Sequence, residues 1–245
     1  MKCMILAAGL GTRLRGVSES KPLTPVAGVP LIEHVVRRAF VGGAKQFVVV
    51  TGHEAERLES FLSDLSRRLD IPIAFARAAD WTRPNGFSVL AGSALIEGDY
   101  LLAMSDHLFD PEIVRLLVGS SNADSDVVLA TDSNVQGELV DLDDATKVEV
   151  AGDGKIVRIG KGIERYNAID TGVFRAGAGL AEAIRANIAM GGSGSLSAGV
   201  QRLADAGRAA AQDVGHARWI DVDDPRMLAL AEGLIASETL TGSAA

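Results

Sequence analysis

A chain of 245 residues with 47% hydrophobic residues and a net charge of −8 is long enough for one substantial α/β domain. The acidic balance argues against general nucleic-acid binding, so a polyanionic ligand requires locally concentrated cations or a metal ion. The single cysteine, Cys3, excludes an intramolecular disulfide framework. With no secretory signal and no stretch of about 18 apolar residues, the sequence favours a cytoplasmic protein without a membrane segment.

Strand and helix patterns alternate over the first half of the chain. Strands are predicted at 4–8, 46–51, 71–76, 100–104 and 126–131, and helices at 30–40, 54–69, 87–96 and 111–118. This alternation is typical of a mainly parallel sheet with helices on both faces. After residue 131 the pattern changes to shorter strands at 135–150, 155–159 and 168–174, followed by helices at 179–187, 196–206 and 226–235.

The loop after the first predicted strand contains Gly9, Gly11, Arg13 and Lys21. Glycines let the backbone turn tightly and bring its N–H groups close to an anion, while the two cations can neutralise a polyphosphate. Two familiar phosphate loops do not fit, because the Walker lysine is missing and Leu14 occupies the third small position of the dinucleotide fingerprint. The loop is therefore predicted to hold a phosphate chain.

The segment Leu6-Ala-Ala-Gly-Leu-Gly-Thr-Arg-Leu14, followed by Lys21-Pro22, resembles the signature of the sugar-phosphate nucleotidyltransferases. Later segments, in order, are most similar to those of the CTP:inositol-1-phosphate cytidylyltransferases: Ser105-Asp-His107, Ala145-Thr-Lys-Val148, Ile159-Gly-Lys161, Asp170-Thr-Gly-Val-Phe174 and Trp219-Ile-Asp-Val-Asp223. The resemblance implies a Rossmann-like α/β nucleotidyltransferase fold with a mainly parallel, mixed central sheet, helices on both faces and a smaller β-rich acceptor-binding part. It also implies transfer of CMP from CTP to inositol 1-phosphate, which gives CDP-inositol and pyrophosphate.

On this basis residues 1–238 are expected to form a single nucleotidyltransferase domain. Its nucleotide-binding part covers about 1–131, its acceptor-binding part about 132–223 and a closing helix 224–237, while 239–245 are predicted to be a flexible tail. Some members of the resembled family carry a fused membrane domain that uses the CDP-inositol. Because this chain stops at Ala245, a membrane CDP-alcohol phosphotransferase is expected as a separate protein. The oligomeric state stays open.

Nucleotidyl transfer brings two anions together, so cations, backbone N–H groups and alignment must lower the barrier, and no strong general base is needed. Arg13 is predicted to bridge the β- and γ-phosphates, and Lys21 to contact the α-phosphate or the acceptor phosphate. Arg15 is expected at the rim. The residues expected to bind the nucleotide follow the carboxyl ends of neighbouring strands: Leu6, Ala8, Gly9, Gly11, Thr12, Thr51, Gly52, Asn85, Gly86 and Ser88.

The predicted metal ligands are carboxylates at strand ends. Asp106 follows the strand at 100–104, where a carboxylate over the cleft suits Mg²⁺. A second carboxylate is expected from Asp223 or Asp221, which share one face of a predicted strand, and His107 is expected to support the site by hydrogen bonding. Acceptor binding is assigned to Lys147, Lys161, Asp170 and Thr171.

Alternative activities remain open at this point. The resemblance implies that the loop from Arg83 to Ser88 takes part in recognising the base. This loop is two residues shorter than in the resembled enzymes, which weakens the assignment of cytosine. A hexose-1-phosphate nucleotidyltransferase or a phosphocholine cytidylyltransferase fits the same signature, although a choline site favours an aromatic cage and only 4% of residues are aromatic. A non-catalytic nucleotide-binding regulatory module is expected to lack Arg13, Lys21 or Asp106, and all three are present.

Overall fold

The computed structural model describes residues 1–14, 18–120 and 124–242. Its strands are β1 (Lys2–Ala7), β2 (Pro25–Val26), β3 (Val29–Pro30), β4 (Gln46–Thr51), β5 (Ile73–Arg77), β6 (Tyr100–Met104), β7 (His107–Phe109), β8 (Val127–Asp132), β9 (Lys147–Val150), β10 (Ile156–Gly160), β11 (Ala168–Ala176), β12 (Ala209–Asp213) and β13 (Trp219–Asp221). Its α-helices are α1 (Leu31–Gly42), α2 (Ala55–Leu69), α3 (Gly86–Ser93), α4 (Pro111–Gly119), α5 (Ala178–Ala189), α6 (Leu196–Asp205) and α7 (Pro225–Gly242).

Nine strands form one mixed sheet whose main path is β10-β9-β11-β6-β1-β4-β5, with β8 pairing with both β11 and β12. Strand β1 runs parallel to β4 and β6, and β4 runs parallel to β5. Strand β11 is antiparallel to β6. The carboxyl ends of β1, β4, β5 and β6 consequently meet at one edge, which is where open α/β sheets bind ligands.

Helices cover both faces of the sheet, as predicted. Along β1, Ile5 packs into one buried cluster with residues of α1, α2 and α4, whereas Met4 and Leu6 pack into a second cluster with residues of α3, α5 and α6. Because both faces are buried, β1 is a continuous apolar run rather than an alternating one.

A third, smaller core lies beneath the glycine loop. Leu14 packs there with Leu108 of β7, with Ile220 of β13, with Val222 directly after β13 and with Met227 of α7. All five side chains are buried. The loop after β1 is therefore anchored to the pair of short antiparallel strands β7 and β13. The neighbours of these buried residues in the sequence, among them Arg13, His107 and Asp221, therefore lie close together at the carboxyl edge of the sheet.

Several element boundaries differ from the predictions. The strand predicted at 135–150 is confined to β9, because Asp132 and Asp141 accept hydrogen bonds from the backbone N–H groups of Asn134 and Asp143 and hold turns instead. Strand β12 was not predicted, since its alanines carry little strand preference and its pairing with β8 is long-range. Helix α7 runs past the predicted end at residue 235 to Gly242, and residues 243–245 lie outside the described ranges.

None of the helices within the described ranges combines the length and the apolar character that a bilayer crossing demands.

Candidate active site at the carboxyl edge of the sheet

The glycine loop packs closely against Lys21. Gly11 has a φ of +59°, and a Cβ atom built on it would lie 2.3 Å from Cβ of Lys21. Only glycine fits both the left-handed backbone and this close approach. Gly9 differs, because a Cβ atom added there would have no neighbouring atom within 4 Å. The loop therefore uses one glycine to pack Lys21 and leaves open space beside the other.

The ammonium group of Lys21 lies among three carboxylates. Its Nζ is 2.5 Å from Oδ2 of Asp106, donates to Oδ1 of Asp223, and is 4.0 Å from Oδ1 of Asp221. Asp106 follows β6 and Asp221 ends β13, whereas Asp223 lies beyond that strand. The two later aspartates thus reach the site from a strand end and the segment after it, not from one strand face as predicted.

Burial and charge shift the pKa values of this cluster in different directions. Burial alone would lower the pKa of Lys21, but the three carboxylates outweigh it and raise that pKa. Burial alone would raise the pKa of Asp106, but Lys21 and His107 hold it well below its ordinary value. Burial, together with the carboxylates of Asp106 and Asp223, raises the pKa of Asp221 to about 7. The positive charge near Asp221 is therefore too small to offset burial and the two neighbouring carboxylates.

The carboxylates fit a divalent cation. Oδ1 of Asp221 is buried and has no hydrogen-bond partner among the described residues. Two groups of side chains each offer three ligand atoms that lie within 4.8 Å of one another. One group is Asp106, His107 and Asp221, and the other is Asp144, Asp221 and Asp223. Carboxylate oxygens are the ligands that Mg²⁺ prefers. Asp221 belongs to both groups, whereas Asp106 and Asp223 belong to one group each, so the metal roles of these three aspartates stay a prediction.

His107 occupies the supporting position predicted for it. Its Nδ1 is 2.9 Å from Oδ1 of Asp106, and its ring is stacked on Trp219 with an interplanar angle of 6°. A Cβ atom on Gly172, which has a φ of +75°, would lie 2.6 Å from Cδ2 of His107. The Nε1 of Trp219 donates to Oδ2 of Asp132 at 2.9 Å. These contacts fix the imidazole and, through it, the carboxylate of Asp106.

Arg13 is bound to carboxylates rather than free. Its Nη2 donates to Oδ2 of Asp144 at 2.6 Å and also to Asp223. The other oxygen of Asp144 accepts from Nζ of Lys161 at 2.5 Å. Asp144 therefore links Arg13, which is predicted to bind the triphosphate, to Lys161, which is predicted to bind the acceptor. Sequence reasoning missed Asp144, whose only signal is its place in an acidic run before the Ala145-Thr-Lys-Val148 motif.

Two cavities open at this edge and share a wall that includes Arg13, Asp106 and Asp223, together with Asn85 and Met104. The first has a volume of about 300 Å³ and contains the glycine loop. The second has a volume of about 220 Å³ and lies towards β11 and the loop before β9. The predicted residues that line the first cavity are Leu6, Ala8, Gly9, Gly11, Arg13, Lys21, Asn85, Ser88, Asp106 and Asp223. Those that line the second include Lys161, Asp170 and Asp221.

Apart from Thr12, whose side chain the structure does not describe, three predicted nucleotide-binding positions lie outside the lining of the first cavity. The Oγ1 of Thr51 donates to Oε1 of Glu59 at 2.7 Å. A Cβ atom on Gly52 would lie 2.5 Å from Cβ of Trp81, and one on Gly86 would lie 2.1 Å from a backbone oxygen of the loop before α6. At both glycines a side chain would collide with neighbouring protein atoms, so the close packing requires glycine. The role of Gly86 beside the base stays a prediction.

The side chain of Thr12 and all of Arg15 lie outside the described part of the chain.

The predicted acceptor residues divide in the same way. Asp170 lines the second cavity, its Oδ1 accepts from the backbone N–H of Gly172 at 2.7 Å, and burial raises its pKa to about 6. The buried Thr171 donates instead to the carbonyl oxygen of Ala130, and Lys147 lies over the ring of Tyr166. Neither Thr171 nor Lys147 lines the second cavity, so acceptor binding by these two residues stays a prediction.

Residues 3–221 match the family model of the MobA-like NTP transferase domain. The chain belongs to this family. It is similar to the "Bifunctional IPC transferase and DIPP synthase" of Rubrobacter xylanophilus, with 34% identity over 98% of this chain and 53% of that protein. The protein of the same name from Aquifex aeolicus is 27% identical over 98% of this chain and 53% of its own length. The chain thus spans about half the length of these relatives.

Two solved structures share the architecture. The inositol-1-phosphate CTP transferase from T. maritima has a TM-score of 0.84 at 25% identity, covering 94% of this chain and 93% of that one. A UDP-glucose pyrophosphorylase complexed with UDP-glucose has a TM-score of 0.79 at 17% identity, covering 97% and 98%. The second likeness shows the fold alone. The predicted nucleotidyltransferase fold is thereby confirmed, and the chain is a nucleotidyltransferase.

Proposed function

We propose that this nucleotidyltransferase transfers CMP from CTP to inositol 1-phosphate with the help of Mg²⁺, giving CDP-inositol and pyrophosphate. The observation that carries the proposal is the shared wall of Arg13, Asp106 and Asp223 between the two cavities. A nucleotide in the first cavity and a phosphorylated acceptor in the second would meet at this wall. The names of the relatives from R. xylanophilus and T. maritima support the choice of substrates.

The glycine loop and its cations would bind the triphosphate in the first cavity. Backbone N–H groups near Gly9 and Gly11 would face the phosphates, Lys21 would bind the α-phosphate, and Arg13 would follow the β- and γ-phosphates. An oxygen of the acceptor phosphate attacks the α-phosphorus in line, and the bond from that phosphorus to the oxygen shared with the β-phosphate breaks. The acceptor phosphate is already an anion, so no residue has to remove a proton.

The aspartates of the site would hold the metal ion. Asp106, Asp221 and Asp223 would supply the oxygen ligands. The oxygen of Asp221 that has no hydrogen-bond partner in the described part of the chain fits this role. When bound, Mg²⁺ neutralises part of the charge that develops on the phosphates during transfer. Lys21 would be left to balance the remaining carboxylate charge and to contact the reacting phosphate.

The second cavity offers groups for a phosphorylated polyol. Lys161 presents an exposed ammonium group for the acceptor phosphate. Asp170 uses one oxygen on the backbone of Gly172, which leaves its carboxylate able to accept hydrogen bonds from ring hydroxyls. A ring with several hydroxyl groups and one phosphate, such as inositol 1-phosphate, uses both kinds of group.

The experiment is a pyrophosphate-release assay in which each of four NTPs is paired with inositol 1-phosphate, glucose 1-phosphate or phosphocholine. We expect turnover with CTP and inositol 1-phosphate, and its loss when EDTA removes the divalent cation. Turnover only with glucose 1-phosphate or only with phosphocholine would replace the proposed acceptor. Binding of nucleotide without turnover in any pair would indicate a non-catalytic module instead.

A functional partner is part of the same proposal. The R. xylanophilus relative is named as both an IPC transferase and a DIPP synthase, and the present chain covers 53% of it. We propose that a membrane CDP-alcohol phosphotransferase consumes the CDP-inositol.

Substituting Asp144 with Asn is expected to lower the KM for CTP or for the acceptor by about two- to five-fold. The physical reason is competition, because the carboxylate occupies Arg13 and Lys161 in the absence of substrate, and partly exposed pairs of this kind are each worth about 0.2–1 kcal/mol. Steady-state kinetics of Asp144→Asn against the wild type measures the effect. A raised KM or a collapsed kcat would show instead that Asp144 positions the cations or binds the metal.

A further inference from the structure

Arg83 is a cation of the first cavity. The resemblance assigns its loop, residues 83–88, to recognition of the base, but the proposed mechanism gives the Arg83 side chain itself no role. It lies on the loop between β5 and α3, lines the cavity, and places its guanidinium 3.5 Å from the ring centroid of Phe87. Arg13 and Lys21, which line the same cavity, are both paired with carboxylates. Arg83 forms no salt bridge with any residue in the described ranges, although hydrogen bonding and, to a smaller extent, the charge of Arg83 lower the pKa of the nearby Asp80.

The stacking on Phe87 orients those N–H groups. A guanidinium that lies over an aromatic ring uses its face for the contact, and its N–H bonds point outwards in the plane. The ring is itself confined, because a Cβ atom on Gly194 would lie 2.7 Å from Cε2 of Phe87. The guanidinium of Arg83 is thus held in place by the packed ring of Phe87 and not by a salt bridge to any acidic residue that the structure describes.

The loop that carries Arg83 is also organised internally. Oδ1 of Asp80 accepts from the backbone N–H and the hydroxyl of Thr82, at 3.1 and 2.5 Å. The N–H of Arg83 donates to the carbonyl oxygen of Asp80 at 3.3 Å. On the other side, Asn85 accepts from the backbone N–H of Leu196 at 2.9 Å. The carboxylate of Asp80, the nearest acidic residue in the sequence, therefore accepts its hydrogen bonds from Thr82 and interacts with Arg83 through charge alone.

Sheet order separates Arg83 from the phosphate end of the cavity. Asp106 follows β6, on one side of β1, whereas Arg83 follows β5, beyond β4 on the other side. Trp81, which lines the same part of the cavity, packs against Gly52 after β4. A nucleotide whose phosphates lie along the glycine loop and face Asp106 would extend its base towards this far side.

We propose that Arg83 is a specificity-determining residue that reads the base of the nucleotide, an inference that rests on the proposed function. Two parallel N–H groups of a guanidinium match two adjacent acceptors, and cytosine presents such a pair in O2 and N3. Uracil carries a hydrogen on N3, so the same fork would meet one acceptor and one donor. Guanine offers an acceptor pair at O6 and N7, which makes GTP an informative competitor.

The test compares kcat/KM for CTP, UTP and GTP in the wild type and in Arg83→Gln and Arg83→Lys, at saturating acceptor. We expect both variants to lose about 10-fold or more of the CTP efficiency, with UTP changed less than about threefold, because neither side chain reproduces the fork. Thr82→Ala is the matched control for loop structure and should keep the wild-type ratio of CTP to UTP. Thermal unfolding should be unchanged in all three variants.

Each other outcome overturns the inference. Equal losses of kcat/KM with every nucleotide would show that Arg83 contacts the phosphates or the ribose. Full activity of Arg83→Lys would show that only the positive charge of Arg83 matters. The same change of ratio in Thr82→Ala would assign the effect to the loop. A wild-type enzyme that prefers UTP would overturn the proposed function together with this inference, whereas a CTP preference that survives in the Arg83 variants would overturn this inference alone.

Discussion

Replacing Lys21 with Met is expected to lower the free energy of unfolding by about 3 kcal/mol and to cut turnover by at least ~10²-fold. The ammonium group is buried among the carboxylates of Asp106, Asp221 and Asp223. Removing it leaves three carboxyl groups facing one another with little solvent to screen them, and removes a cation from the proposed α-phosphate site. Denaturant unfolding and pyrophosphate release measure the two effects.

Mg²⁺ provides an internal check on this prediction. Because a divalent cation would bind the same carboxylates, millimolar Mg²⁺ should raise the unfolding midpoint of Lys21→Met more than that of the wild type. Lys45→Met is the matched control, since Lys45 is exposed, lies over the ring of Phe40 and lines neither cavity of the site. Wild-type stability in Lys21→Met, with no greater response to Mg²⁺, would contradict the electrostatic account of the cluster.

Replacing Arg13 with Ala is expected to reduce kcat by ~10²-fold or more while leaving the unfolding midpoint nearly unchanged. The side chain of Arg13 is 50% exposed, and its ion pairs with Asp144 and Asp223 contribute little to stability in that setting. We propose that Arg13 stabilises the negative charge that develops on the departing pyrophosphate. Single-turnover and steady-state assays separate this effect on chemistry from one on nucleotide binding.

Two further variants sharpen the Arg13 test. Arg13→Lys should recover only part of the rate, because a point charge cannot hold two phosphate oxygens in a fixed fork. Arg57→Ala should behave as the wild type, since Arg57 is similarly exposed and is paired with the exposed Glu19. A normal kcat in Arg13→Ala would show that the glycine loop is not the reaction centre.

The sequence predicts those parts of the site that depend on local sequence patterns. The apolar run of β1 followed by Gly9 and Gly11 requires a turn at the carboxyl end of a buried strand, and the structure confirms it. The alternation of strands and helices likewise predicts helices on both faces of a mixed sheet. Asp106 could be placed at the same edge, because it directly follows the predicted strand that became β6.

Other features leave no local pattern from which they could be predicted. The acidic turns at 133–146 overlap a predicted strand, because side-chain hydrogen bonds to the backbone produce no periodic signal. Gly86 has the residue type expected where a base approaches the backbone, whereas it packs against the loop before α6. Thr51 and Thr171 have the residue type expected of ligand-binding groups, but their hydroxyls are bound within the protein.

The order of residues alone was enough to establish an α/β protein with a cationic glycine loop at the end of its first strand, because strand periodicity and glycine turns act over a few residues. Which charges meet at the site became visible only once the chain was folded. Lys21 and Asp223 are 202 positions apart, and Arg13 and Asp144 are 131 apart. Such pairs depend on how β13 and the loop before β9 pack against the sheet, and on the energetic need to neutralise buried carboxylates.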